Sequence, residues 1–363
     1  MNRAFTSTSR VSGGWPAGTP AKAVGVRHPI LLAPMAGAGG VDLATAVGRA
    51  GGLAALPCGM STPERIESEV AQFRSAADAP INLNFFCHAL PEAPDDGAWR
   101  ALLAPYYAEL EVGPGDPPPL RRPFSAEWAE LVERVRPEVV SFHFGLPAPD
   151  LLERVRATGA FVIGNATSLA EGRWLAERGV DAVIAQGWEA GGHSGYFLTD
   201  APEQVGLFAL VRLLSEALPV PVIAAGGIMD GRGIAAALTL GASAVQLGTA
   251  FLASPEGLIA PPYRAALASA RAEHTMMTNL VSGRAARGIP NRLTTDLGAM
   301  NPAAPPYPYA SAALAPLRKA AEAAGRDDFT PLWAGQGAPL ARAEAATETV
   351  ERLVRDALKE LSR

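Results

Sequence analysis

One unit, met again and again, constrains this 363-residue chain more than any other feature. A short, mostly apolar run leads into a stretch with helical spacing. The runs are Ile30–Ala33, Leu53–Leu56, Ile81–Phe85, Val139–His143, Phe161–Gly164, Ala182–Ala185, Val222–Ala225 and Ala244–Leu247. A strand that lacks alternation is buried on both faces, which is the habit of parallel sheets covered by helices. Eight such units predict an α/β fold, a (β/α)8 TIM barrel. A doubly wound open sheet is the competing architecture, but no switch in the order of the units marks one.

The intervening segments carry helix signals. Thr62-Pro63 supplies a cap and a first-turn proline, and Asp42 stands near the start of a pattern that ends at Gly51-Gly52. Helices are expected over 126–136, from about 150, and over 168–178, 202–218 and 231–240. Residues 87–125 break the rhythm and read as a long loop with a short helix. After strand eight, residues 255–310 read as a small inserted cap. The patterns at 312–324 and 341–361 are expected to close the outer helical ring. The predicted division is an N-terminal arm (1–24), a barrel (25–254 and 311–363) and a substrate-side cap (255–310).

Composition narrows the partners. Hydrophobic residues make up 48% and charged residues 18%, ample for a barrel core. The net charge of −5, with no basic cluster, gives nucleic acid nothing to bind. Cys58 and Cys87 lie far apart, with no Cys or His at zinc spacing, so neither a disulfide framework nor a metal site is expected. Met1–Gly18 has no apolar core of the signal-peptide kind, and no apolar run reaches the ~20 residues a membrane span needs. The expectation is a cytoplasmic enzyme, monomer or homodimer, acting on a small molecule.

In a barrel the chemistry gathers where strands end at their carboxyl side. The sixth run leads into Gln186-Gly187-Trp188-Glu189-Ala190-Gly191-Gly192-His193-Ser194-Gly195. A lone His is most often structural. Here it sits in a glycine-rich loop at the active face, which favours proton chemistry near neutral pH. Strands seven and eight end in Gly226-Gly227 and Gln246-Leu247-Gly248-Thr249, the corner where barrels cradle a phosphate on backbone N–H groups. Strand one ends in Ala33-Pro34-Met35, a turn with one soft apolar side chain able to cover a flat ring. Asn84, His143, Asn165 and Gln186 end four other strands and point at the same mouth. Gly37-Ala38-Gly39 imitates a dinucleotide fingerprint, but Asp42 stands where a third Gly belongs.

These segments resemble the nitronate monooxygenase family (formerly 2-nitropropane dioxygenases), its class I members in particular. The likeness rests on Ala33–Gly37, Asn82–Phe86, Val140–Gly145, the stretch from Gln186, Ala224–Ile228, Gln246–Thr249, Pro306-Tyr307-Pro308 and Leu332–Gln336. It implies one FMN at the barrel mouth. Ala33, Pro34, Met35, Asn84 and Gln186 would hold its ring. Gly191, Gly192, Gly226, Gly227, Gln246, Gly248 and Thr249 would hold the ribityl chain and phosphate. His193 would be the active-site base or hydrogen-bond donor, with His143, Tyr307 and Tyr309 shaping the substrate pocket. The implied reaction is oxidation of an alkyl nitronate, or its nitroalkane, by O2 to a carbonyl compound and nitrite. Family members often carry a Lys after the Tyr-Pro segment that attracts an anionic substrate; here that region reads Ala310-Ser311-Ala312-Ala313. An NAD(P)H-dependent FMN reductase of quinones or enoyl-thioesters is the alternative activity on the same barrel. A barrel that binds such a ligand without turnover is the alternative from outside catalysis.

Overall fold

The structure, a computed structural model, describes Trp15, residues 21–115 and residues 119–363. Most of the expected N-terminal arm, residues 1–14 and 16–20, lies outside the described residues. Eight parallel strands form one sheet: β1 (Ile30–Leu32), β2 (Ala54–Pro57), β3 (Ile81–Phe86), β4 (Val139–His143), β5 (Phe161–Ala166), β6 (Ala182–Gln186), β7 (Val222–Ala225) and β8 (Ala244–Leu247). Each pairs with the next in sequence from β2 to β8, and β8 pairs with β1, Ile30 opposite Val245. A parallel bridge between Leu31 and Leu53 closes the ring, with Leu32 N–H donating to Leu53 O at 3.0 Å and Leu53 N–H to Ile30 O at 2.9 Å. The barrel is thus the TIM architecture the repeats predict.

Neighbouring residues on a strand face opposite ways, and the apolar runs serve both sides. Leu31, Val139, Ile163, Ala182, Ile184, Ile223 and Ala244 pack together inside the barrel, over Val24. Their neighbours Ile30, Leu32, Val140, Val162, Val183, Val222 and Val245 face the helices, in the larger core that holds Leu43, Ile66, Leu131, Leu210 and Leu353. Fully burying one such side chain is worth about 1.5–3 kcal/mol, which is why most strand positions are apolar until the mouth is reached, buried Asn82 and Ser141 being exceptions.

Three helical expectations change. The helix expected over 202–218 begins at Leu207, because both Glu189 carboxylate oxygens accept the Leu207 N–H, at 2.8 and 3.0 Å. That is a cap reaching in from another loop. The insertion after β3 holds a 13-residue helix, Gly97–Glu109, not a short one. Pro105 disguises it, yet Trp99, Leu103 and Tyr106 keep a helical spacing and are its buried face. The helix Ala310–Ala323, expected in the outer ring, packs on that inserted helix instead. Leu314 and Leu317 share a second core with Trp99, Leu103, Leu280, Leu293 and Phe329, and Trp99 Nε1 donates to Ala310 O at 3.3 Å. The eighth ring position belongs to Ala346–Leu361 alone, which packs between helices Gly231–Thr239 and Val41–Arg49.

Within residues 255–310, Met276–Thr278 pairs antiparallel with Ala286–Gly288. The far edge of that ribbon pairs with Gly192–His193, His193 opposite Ala286. The loop after β6, read from sequence as loop throughout, is therefore in part a strand tied to this segment.

Candidate active site

A cavity of about 240 Å³ opens at the carboxyl ends of the strands. Ala33, Pro34 and Met35 line it from β1, Asn84 and Phe86 from β3, and His143 from β4. Asn165 and Gln186 reach it from β5 and β6, followed by Gly191, Gly192 and His193. Gly226, Gly227, Gln246, Gly248 and Thr249 complete the wall beside β7 and β8. Tyr307 stands one layer back, its ring centroid 5.5 Å from that of His193. Tyr309 does not line the cavity; its hydroxyl donates to Pro91 O at 2.6 Å.

The β6 loop is held in place by amides. Gln186 Nε2 donates to His193 O at 2.9 Å, and Gln186 Oε1 accepts from Gly195 N–H at 2.8 Å and from Asn165 Nδ2 at 3.1 Å. The Gln186 side chain thus fastens the His193 strand to the barrel rim. Sequence reasoning gave it a cofactor to hold; its amide is already engaged with protein. Gly191 likewise has a protein neighbour. A Cβ there would lie 2.5 Å from Gly335 N and 2.6 Å from Ala334 C, so the segment 332–336 leaves room for no side chain. Thr249 Oγ1 accepts the Gly335 N–H at 3.0 Å, and Gln336 N–H donates to Glu189 O at 2.9 Å. The Trp-Ala-Gly-Gln segment closes the cavity by these contacts.

His193 is surrounded by aromatic rings, with Trp333 at 5.7 Å, Phe144 at 6.0 Å and Phe86 at 6.5 Å between centroids. Burial, and then the charge of Arg121, hold its pKa well below the ordinary histidine value. Burial also presses His143 down to about 3 and His88 to about 4. All three imidazoles are neutral at neutral pH. The Tyr307 hydroxyl is pushed up to about 12, again by burial first, so it is a donor. The hydroxyl is buried, with the Arg121 guanidinium beside it. Phe144 carries a left-handed backbone, φ 68°, which is strained for a bulky residue. Its ring lies 4.2 Å from the Arg284 guanidinium, which also donates to Tyr196 O.

The glycine corner has its own geometry. Gly226 (φ 122°) and Gly227 (φ 68°) take backbone shapes that side chains disfavour. The N–H groups of Gly226, Gly227 and Gly248 enter no turn or loop hydrogen bond among the described residues. Gln246 Oε1 is buried in the same wall with no partner. A phosphate and a hydroxyl or ring N–H are the groups such a surface lacks.

Sequence reasoning missed four residues here. Arg121, from the insertion after β3, lines the cavity and makes no ion pair among the described residues. Its guanidinium sits 5.8 Å from the Tyr307 ring and donates to Ser311 Oγ at 3.4 Å. A cation therefore stands beside the segment that lacks the family's Lys. Proline-rich surroundings gave no signal for it. His88, 4.7 Å from the Tyr307 ring, gave none either. Trp333 was visible only as part of a motif. Ser282 lay unremarked in a glycine-arginine stretch and bonds His193 Nε2 at 2.8 Å.

Comparison with known proteins gives a concordant result. The family model for nitronate monooxygenase matches residues 20–356. The chain is 43% identical over 344 residues to the nitronate monooxygenase of Pseudomonas aeruginosa, covering 92% of this chain and 97% of that one. It is 43% identical over 345 residues to that of Paraburkholderia phytofirmans, covering 92% and 93%. The nitroalkane oxidase of Streptomyces ansochromogenes superposes with a TM-score of 0.87 at 38% identity, over 94% of this chain and 99% of the other. FabK from Thermotoga maritima superposes with a TM-score of 0.73 at 28% identity, over 95% and 98%.

Proposed function

The chain belongs to the nitronate monooxygenase family, and from that premise we propose that it oxidises alkyl nitronates, and their parent nitroalkanes, with O2. The products are a carbonyl compound and nitrite, and the cofactor is FMN. The observation that carries the proposal is one cavity holding a neutral His193 at one side and the Gly226–Gly227 and Gly248 corner at the other.

FMN fits the residues present. The unpartnered Gln246 Oε1 offers an acceptor to a hydroxyl or ring N–H, and the loop N–H groups of Gly226, Gly227 and Gly248 offer donors to a phosphate. Ala33, Pro34 and Met35 supply a mostly apolar wall for a flat ring, with Asn84 beside it. When bound, FMN supplies an acceptor for single electrons and a path from the nitronate to O2.

The remaining work falls to side chains. A neutral nitroalkane must lose its α-proton before it can give up an electron. His193, kept uncharged by burial, takes that proton: the C–H bond breaks, and its electron pair moves onto the nitro group to form the nitronate. The anion then finds a donor at the cavity wall in the Arg121 guanidinium, with the Tyr307 ring packed behind it. Phe86, Phe144 and Trp333 keep water away from the exchange.

The test is a pair of substrates and one variant. His193→Asn should keep its yellow colour and lose turnover of nitroethane by about 10²-fold or more, the lower end of a general base's contribution, while ethylnitronate turnover falls far less. Equal losses on both would remove His193 from proton abstraction. The competing reading of the same barrel is reduction of the flavin by NAD(P)H. Anaerobic mixing with NADPH decides it, since rapid bleaching of the flavin belongs to a reductase.

A further inference from the structure

Among the histidines around the cavity, His193 is the one whose ring reaches a hydroxyl. His193 Nε2 lies 2.8 Å from Ser282 Oγ, and Ser282 Oγ lies 3.3 Å from Arg284 O. Ser282 is 1% exposed, so no bulk water competes for these bonds. A serine hydroxyl has a single proton to give and lone pairs to receive. The carbonyl of Arg284 can only accept. If the proton goes to Arg284 O, the remaining contact requires Nε2 to carry the hydrogen. The imidazole is then the Nε2–H tautomer, with its lone pair on Nδ1. Nδ1 bonds no other described residue, and it is not among the buried polar atoms sealed without a partner, so it opens on the cavity that His193 lines.

We propose that Ser282 is a positioning residue that fixes this tautomer and makes Nδ1 the nitrogen that takes the substrate's α-proton. The inference rests on the reading of His193 as base. In the step, the substrate C–H bond breaks, a bond forms between Nδ1 and hydrogen, and the freed pair stays on the substrate as the nitronate. The imidazolium so formed carries hydrogen on both nitrogens, and Ser282 Oγ goes on accepting from Nε2–H. Without the hydroxyl, Nδ1–H becomes equally available and points a hydrogen at the substrate where a lone pair is needed. The backbone supports the same geometry. Ala286 stands opposite His193 in the small sheet, and Ser194 N–H donates to Ala285 O at 3.0 Å, so the 282–286 turn and the His193 strand move together.

The experiment has two arms. In the first, Ser282→Ala and Ser282→Thr are assayed with nitroethane and with ethylnitronate, flavin content being checked in each. Ser282→Ala should lower kcat on nitroethane by about 10- to 100-fold, the range for a misdirected catalytic group. It should leave ethylnitronate within about threefold, and Ser282→Thr should restore the nitroethane rate. Equal losses on both substrates, or no rescue by Thr, would overturn the assignment. The second arm uses the wild-type holoenzyme labelled with ¹⁵N-histidine. NMR should give His193 a protonated Nε2 and a bare Nδ1 at neutral pH; a protonated Nδ1 would overturn the proposal even if Ser282→Ala failed to fold. Loss of the base reading would look different, because His193→Asn would then hit both substrates alike whatever the tautomer.

Discussion

Gly191 and Gly192 are adjacent, and the structure assigns them opposite reasons to be glycine. In Gly191→Ala the new Cβ would meet Gly335 N at 2.5 Å, Ala334 C at 2.6 Å and Ala334 Cα at 2.9 Å. All three are backbone atoms, so no rotamer relieves the clash, and the strand and the 332–336 segment must part by about 0.9 Å to restore an ordinary 3.4 Å contact. Overpacking of that kind costs about 1–3 kcal/mol. For a chain of 363 residues, whose unfolding entropy scales to about 0.8 kcal/mol/K, that is a fall in Tm of roughly 1–4 °C. The same shift carries His193, two residues on, away from its substrate, and a displacement near 1 Å costs about 10²-fold in rate. In Gly192→Ala the Cβ meets nothing within 4 Å, and only the positive φ of 73° is strained, at about 1 kcal/mol. Thermal unfolding and nitrite release on the two variants separate the cases. Gly191→Ala should be the less stable and much the slower. A Gly191→Ala protein with wild-type Tm and rate would refute the close approach of these segments.

Three more outcomes follow from the cavity. His143, at the cavity wall and pressed by burial to about 3, titrates in the folded state below its unfolded value. The unfolded chain therefore binds the proton first, and the stabilisation is complete above pH ~6.5 and lost as pH falls toward 3. At pH ~4.5 the loss is at most about 3 kcal/mol. His143→Phe should flatten the drop in urea midpoint between pH 7 and pH 4.5, and an unchanged slope would contradict the burial argument. Gly248→Val puts methyls where a Cβ already lies 3.3 Å from Ala33 and 3.5 Å from Met35 Sδ, and should yield a colourless protein; full flavin content would disprove the phosphate corner. Arg121→Met should raise KM for ethylnitronate by about tenfold and flatten its dependence on salt, since the lost term is a charge at the cavity wall. An unchanged KM would remove Arg121 from substrate attraction.

What could be read in the sequence was what repeats and what ends a strand. The barrel was legible because Val139-Val140 or Val222-Ile223 can only be strands buried on both faces, and eight of them leave few ways to close. The cavity wall was legible for the related reason that Asn84, His143, Asn165 and Gln186 interrupt apolar runs at their carboxyl ends. What Gln186 bonds was not, because the Gly195 N–H and His193 O it holds come from a loop whose path depends on Ala286 and Gly335, about 90 to 150 residues away. The same distance hid Ser282 and Arg121. The helix Ala310–Ala323 was given to the outer ring because its pattern is amphipathic; periodicity says that a helix has a buried face but not which core receives it.

The central claim is that this cavity turns nitronate and O2 into nitrite without a nicotinamide. Its most direct measurement is aerobic turnover of ethylnitronate by the purified yellow protein with no NAD(P)H present, following O2 uptake, acetaldehyde and nitrite together. The account predicts that O2 is consumed while acetaldehyde and nitrite appear in equal amounts. A protein that releases no nitrite, while NADPH bleaches its flavin within the mixing time, would contradict it.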